Sequence, residues 1–596
     1  VTHPVVGAIY DPESRTTVFR VWAPFAAEVS LVLDNKRRDL RKEKYGYWMT
    51  EENAGPGMRY GYLIDGKGPY PDPASLAQPD GVHQLSQVVH AELDWSDQEW
   101  KGVDAADLIL YEIHTGTFSE EGTFEGIIQR LPYLQALGIT GIELMPVAQF
   151  PGNRNWGYDG VLPYCIHHDY GGINGFLRLV NEAHHHGIAV ILDVVYNHLG
   201  PEGNYLELFG PYFTDKYRTN WGKAINFDDR WCDGVRNFFI RQARYFLETC
   251  RVDGLRLDAV HAIHDESALH LMRALSAEVK AIEKETGRRK LLIGEIDLND
   301  PRYISEEQRG GYGLDAQWMD EFHHAVRAYV TGERDGYYED FGELDHVVRA
   351  FRDSYVYTGQ YSIHRKRNFG VPVDLPYDRF VVFMQNHDQI GNRLFGDRLS
   401  SRLTQAQLKF LAAVTILSPH IPLIFMGEEY GERRPFQYFI SHTDEQLVEA
   451  VRKGRREEFS YFTGEGDTPD PQSEKTFLAC KLSWDTDGHH TGLLELYRSL
   501  IHFRRHRPAM KNYDRNHVRV WPVHDKVLAV ERIHPEDHLV MFFNFGHNAG
   551  VYPNFYPRAK RIFDTSSLVP DEYDQVWRNQ NQYVHLAPWS VTIYEI

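Results

Sequence analysis

Cysteine is scarce in this chain: only Cys165, Cys232, Cys250 and Cys480 occur among 596 residues. Their spacing fits neither a zinc site nor a dense disulfide framework, so reduced, structural thiols are expected. No stretch approaches the ~20 apolar residues of a membrane span. The opening segment VTHPVVGAIYDPES has no basic stretch followed by an apolar run, so no signal peptide is expected. Together these absences predict a soluble, cytoplasmic protein. Positive charge is also in deficit, 64 Lys and Arg against 84 Asp and Glu, for a net charge of −20. Such a surface repels nucleic acid and anionic membranes. It suits a neutral or cationic small ligand, or serves solubility alone.

Aromatic residues are plentiful at 13% of the chain. Their faces can stack on the C–H faces of sugar rings, although they also fill cores. From Thr16 to about Trp95 short alternating runs (TTVFRVWAP, EVSLVL, YGYLIDG) predict an antiparallel β-sandwich. A similar style returns after the helical segment LLELYRSLIHFRRH, in HVRVWPV, VLAVERI, LVMFFNFG and SVTIYEI. The middle of the chain instead alternates apolar strands with amphipathic helices, as a parallel α/β domain requires.

Eight strand candidates stand out there: residues 108–114, 141–147, 188–197, 254–260, 291–297, 314–320, 380–386 and 421–427. Eight βα units over nearly 400 residues fit a (β/α)8 barrel with inserted loops better than an open sheet, and no GxGxxG follows a strand. The expected division is an N-terminal β-sandwich at 1–95, the barrel at 96–492, and a C-terminal β-sandwich with a leading helix at 493–596. The polar stretch from Arg452 to Glu474 reads as a solvated loop.

Three acids lie where strands four, five and seven emerge: Asp258, Glu295 and Asp388. Barrel enzymes gather their chemistry on that rim. One acid to donate a proton and another to meet a developing cation is what cleavage between sugars needs. Arg256 lies two residues before Asp258 on the same strand, so both face the same way, and its charge would keep Asp258 ionised. The histidine runs His184–His186 and His323–His324 could suggest a metal. The first occupies successive helical positions, however, which predicts a solvated helix end, and no metal or cofactor is expected.

The segments DVVYNH, DGLRLDAVHAI, GEIDLND and QNHDQIGNR, in order on successive strands, resemble the signature regions of the α-amylase superfamily of glycoside hydrolases. The resemblance implies Asp258 as nucleophile, Glu295 as general acid/base and Asp388 as a third carboxylate that binds sugar hydroxyls. It implies that His198 and His387 hydrogen-bond the sugar at the cleavage subsite, and that Tyr158 in NWGYDG is an aromatic platform beside it. Asp193 reads as structural. A retaining mechanism would place the Asp258 and Glu295 carboxyls ~5–5.5 Å apart.

The wording of ELMPVAQFPGNRNWGYDG, LDAQWMDEFHHA, TGERDGYYEDFG and FMGEEYGERRPF is similar to that of the maltooligosyltrehalose trehalohydrolases within that superfamily. That resemblance implies maltooligosyltrehalose as substrate, with trehalose and maltooligosaccharides as products. Trp221, Asp320, Glu321 and His324 are then candidates for recognising the trehalose. A glycogen branching enzyme, passing the glucan to a sugar hydroxyl instead of water, is the alternative, and the oligomeric state is not legible.

Overall fold

The computed structural model describes residues 3–459, 468–488, 490, 492–566 and 583–596. Its centre is a closed parallel barrel. The strands are β1 (Leu110–Ile113), β2 (Gly141–Leu144), β3 (Ala189–Val194), β4 (Gly254–Leu257), β5 (Leu291–Glu295), β6 (Ala316–Trp318), β7 (Phe380–Val382) and β8 (Ile421–Phe425). Every residue of these strands is buried except Glu295, which is half-buried at the rim. Burial on both faces explains the near-continuous apolar runs. Leu110, Ile191, Ile293, Trp318, Val381 and Leu423 belong to the barrel's own apolar cluster.

Two antiparallel sheets precede the barrel, one built from Gly7–Asp11, Thr16–Trp22, Tyr47–Glu52 and Arg41–Lys42, the other around Val29–Leu33 and Arg59–Ile64. A five-stranded antiparallel sheet follows it, centred on Val527–His534 and Asp537–Asn544. The first sheets are locked to the barrel through Trp22. Its indole lies so close to Gly234, on the helix Cys232–Arg244, that a Cβ there would stand 2.1 Å from the ring. The same ring meets Tyr212 edge-on at 5.2 Å.

Two expectations are corrected. The helix Leu493–His506, expected to lead the C-terminal domain, packs against the barrel helices Gln405–Leu417 and Leu131–Leu137 and so follows β8 as the barrel's own eighth helix. Arg504 fixes it there, donating to the Ile416 and Ser418 carbonyls at 2.7 and 2.8 Å. The stretch read as a loop from Arg452 is helical as far as Glu458, within the helix Glu445–Glu458. Asp444 caps that helix by accepting from the amides of Gln446 and Leu447, and Arg452 and Arg455 pair with acids three residues away. Residues 460–467 of the stretch lie outside the described residues.

Candidate active site

The three acids share the C-terminal rim of the barrel, and one buried guanidinium joins two of them. Arg256, fully buried on β4, places Nη1 3.0 Å from Asp258 Oδ1 and 3.0 Å from Asp193 Oδ2. Its Nη2 lies 3.1 Å from Glu295 Oε2, at an angle outside hydrogen-bond geometry. Below, the guanidinium stacks on Trp318, 4.0 Å from the ring centroid, at the top of the barrel's apolar cluster. Arg256 was expected to act on Asp258 by its charge, and its Nη1 stands in direct contact with that carboxyl. It was also grouped with the sugar-binding residues, and there the structure differs: a side chain with no exposed surface cannot touch sugar.

Burial is the largest influence on Glu295 and raises its pKa, with the Asp258 charge adding to the rise and Arg256 opposing it. That is the direction a proton donor needs. Ala259, next to Asp258, adopts the left-handed region at φ 39° and aims its amide at Glu295 Oε2, 2.9 Å away. A non-glycine residue there is strained, and strain of this kind clusters at working sites. Asn197 donates to Asp258 Oδ2 at 2.9 Å.

Asp388 lies in the first turn of the short helix His387–Gly391, capped by Asn386. Burial raises its pKa, the His387 charge opposes this, and Glu295 adds to it. His387 is held between Glu112, 2.8 Å from Nδ1, and Asp388, 3.5 Å from Nε2. Burial alone would lower its pKa, but the two carboxylates lift it to about 10. The Tyr158 ring stacks on His387 at 5.1 Å, and its hydroxyl donates to Asp193 Oδ2.

His198 lies against two neighbours of the site. Its Nε2 faces the Tyr158 carbonyl at 2.8 Å and its Nδ1 faces Asn197 Oδ1 at 2.5 Å. Both partners are oxygen acceptors, so the ring lies wedged between Tyr158 and Asn197, each of which touches another residue of the site. Trp221 stands at the turn of a hairpin (Phe213–Thr219, Gly222–Ile225), 47% exposed, its ring stacked over His198 at 6.2 Å.

Asp320 and Glu321 open the helix Asp320–Thr331 and part ways. Asp320 joins the acids: burial raises its pKa strongly, reinforced by Glu295, Asp297 and Asp388. Glu321, expected to accept from glucose hydroxyls, turns inward. Its Oε1 accepts from Asn299 Nδ2 at 2.6 Å and from the Val356 and Tyr357 amides at 2.8 and 3.3 Å. It braces a loop and does not face the cleft. His324 is also buried, stacked at 4.0 Å beneath Tyr337, and burial pushes its pKa down to about 3.

Two acids escaped the sequence reading. Glu112 on β1 and Glu143 on β2 are register neighbours inside the barrel. Both Glu143 oxygens are buried without a hydrogen-bond partner, and burial, reinforced by the Glu112 charge, drives its pKa far up. The signal was present: each is an acid in mid-strand of a run otherwise apolar (LYEI, GIEL). Neither histidine run belongs to a metal cluster, since no group of three or more His, Cys, Asp or Glu poised to hold an ion occurs among the described residues. His184 is not solvated as expected. It is buried at the opposite end of the barrel, between Asp97 at 2.8 Å and Asp253 at 2.7 Å.

Comparison with known proteins adds to this geometry. Residues 86–221 match the family profile "Alpha amylase, catalytic domain" and residues 5–78 match "Carbohydrate-binding module 48 (Isoamylase N-terminal domain)". The chain is 46% identical to the malto-oligosyltrehalose trehalohydrolase of Saccharolobus solfataricus, over 83% of this chain and 86% of that protein. It is 46% identical to the enzyme of the same name from Arthrobacter ramosus, over 82% and 87%. A crystal structure from Salmonella typhimurium, provisionally named an alpha amylase, superposes with a TM-score of 0.90 at 35% identity over the full length of both chains. A branching enzyme from Clostridium perfringens is more distant, 24% identical over 71% of this chain and 68% of that one.

Proposed function

The chain belongs to the malto-oligosyltrehalose trehalohydrolases, glycoside hydrolases of the α-amylase type, and on that premise we propose how its residues divide the work. The reaction is hydrolysis of the α-1,4 bond next to the terminal trehalose of maltooligosyltrehalose, releasing trehalose and a maltooligosaccharide. Asp258 attacks the anomeric carbon. Glu295 protonates the glycosidic oxygen, so trehalose leaves and the glucan remains as an ester on Asp258. Glu295, now a carboxylate, takes a proton from water, which opens the ester with net retention. Asp388, beside the protonated His387, holds sugar hydroxyls. Tyr158 supplies the ring face at the cleavage subsite.

The observation that carries this assignment is the shared guanidinium. Arg256 contacts both Asp258 and Glu295, and burial raises the Glu295 pKa, the direction a proton donor needs. We place the reaction in the cytoplasm, on the expectation of reduced thiols. No helix among the described residues is long and apolar enough to cross a membrane.

Incubation with maltotriosyltrehalose tests the reading: free trehalose and maltotriose are expected, with the α-anomer of maltotriose appearing first by NMR. Branched glucan from amylose with no trehalose released would overturn it in favour of a branching enzyme.

A further inference from the structure

We propose that Glu112, the acid in the middle of β1, is a positioning residue for the reaction: it fixes His387 and, through it, the short turn that carries Asp388. The proposal rests on the function given above. Glu112 has no exposed surface, so it cannot touch sugar. Its two oxygens instead take up two groups of one residue. Oε1 accepts from the His387 backbone amide at 2.8 Å, and Oε2 faces Nδ1 of the same imidazole, also at 2.8 Å. That amide opens the helix His387–Gly391. An amide in the first turn finds no partner within its own helix, so a carboxylate supplied from another strand ties the start of the helix down. In the barrel β8 lies between β1 and β7, so the contact reaches past a strand to hold the segment that leaves β7.

The imidazole is left with one orientation. Tyr158 stacks on it at 5.1 Å, and Trp156 and Trp318 close on it at 5.7 and 5.9 Å. Within that cage Glu112 decides which edge points where: with Nδ1 held, Nε2 lies 3.5 Å from Asp388 Oδ1. Asp388 is one-third exposed and is the acid assigned to the sugar hydroxyls. The charges acting on the imidazole are Asp388 beside it, Glu112 from β1 and Arg256 from β4; the two carboxylates favour its charged form and Arg256 opposes it. Glu143 is the register neighbour of Glu112, but neither of its oxygens has a hydrogen-bond partner, so it does not share the hold on His387.

Glu112→Gln keeps the size of the side chain but sets an NH2 group against one of the two N–H donors. It is expected to lower kcat about hundredfold with KM within about threefold, because a misplaced Asp388 loses more of its hold in the transition state than in the ground state. The loss should be about equal on maltotriosyltrehalose and on α-maltotriosyl fluoride, which sheds fluoride in place of trehalose, since both present the same glucan to Asp388. In a His387→Asn background the same replacement should change kcat by less than about twofold, as for two residues that act as one unit. A Glu112→Gln kcat per folded molecule within about twofold of wild type would overturn the proposal, and so would a full further loss in the His387→Asn background. Should Glu112→Gln not fold, the wild-type protein decides. The ring nitrogen-15 NMR signals that vanish in His387→Asn should show Nδ1 protonated at pH 8, and an Nδ1 without its proton would overturn the proposal. Failure of the functional reading looks different: the wild-type protein would hydrolyse the fluoride and release no trehalose from maltotriosyltrehalose, while Glu112→Gln still lost its rate on the fluoride.

Discussion

The two ends of the barrel use the same residue types to opposite ends. At the lower rim, Asp97 and Asp253 grip His184 from both sides, Trp100 stacks on it at 4.5 Å, and Arg251 and Arg288 complete Asp97 at 2.6 and 2.8 Å. Asp253 also accepts from Trp100 Nε1 and from the Val190 amide. The pKa values of both aspartates are lowered despite burial, chiefly by His184. At the upper rim, Asp, Glu, His, Arg and Trp meet again, yet Glu295, Asp388 and Asp320 are pushed upward and Asp388 is one-third exposed. One cluster spends all its hydrogen-bonding capacity internally. The other keeps some in reserve, and that reserve is what a substrate can use.

The largest effect that would break this contrast lies at the upper rim. Asp258→Asn or Glu295→Gln should cost about 10⁴-fold or more in kcat, while thermal unfolding shows little loss of stability, since each replacement keeps the size and shape of the side chain. Retention of turnover within a few-fold would undo the assigned roles. At the lower rim the outcome should reverse: His184→Ala leaves two buried carboxylates without their central partner and should cost about 3 kcal/mol in a urea titration. Its kcat per folded molecule should hold.

The pH dependence sharpens the comparison further. His184 has a raised pKa in the fold, so its contribution is complete below the ordinary histidine value and fades as pH rises through the folded one. Asp97 and Asp253 have lowered values, so theirs is complete above the ordinary aspartate value and fades as pH falls through the folded ones. His184→Gln should therefore flatten the alkaline limb of stability against pH. Urea midpoints of mutant and wild type that run parallel from pH 6 to 9 would refute the clamp. The smallest effect is expected at Trp221: alanine there should raise KM for maltotriosyltrehalose a few-fold with kcat nearly unchanged, and an unaltered KM would remove the hairpin from the site.

Much of this was legible in the sequence because barrel strands are buried on both faces. Most announced themselves as apolar runs, with the polar LDAQWMD around β6 the exception, and acids at three strand ends gave the trio. What escaped was side-chain direction within helices and the insides of strands. His184 lies four residues after Val180 and seven after Leu177, both buried, a phase that assigns it to the core; three consecutive histidines hid that. Glu321 adjoins Asp320, and a step of one residue on a helix turns the side chain by ~100°, enough to send one acid to the site and the other to a loop. The seat of His198 between Asn197 and the Tyr158 carbonyl brings together partners that no linear pattern announces.

The contact between Trp22 and Gly234 bears on how freely this chain can be cut and recombined. The leading sheets resemble a removable accessory, but the barrel carries their imprint. A fragment starting after them would present a helix moulded around an absent indole, with Tyr212 uncovered beside it. The same sheets grafted onto another barrel would need a glycine at the matching turn of the helix to seat at all. Trp22 and Gly234 make the two parts one mechanical object, to be redesigned together.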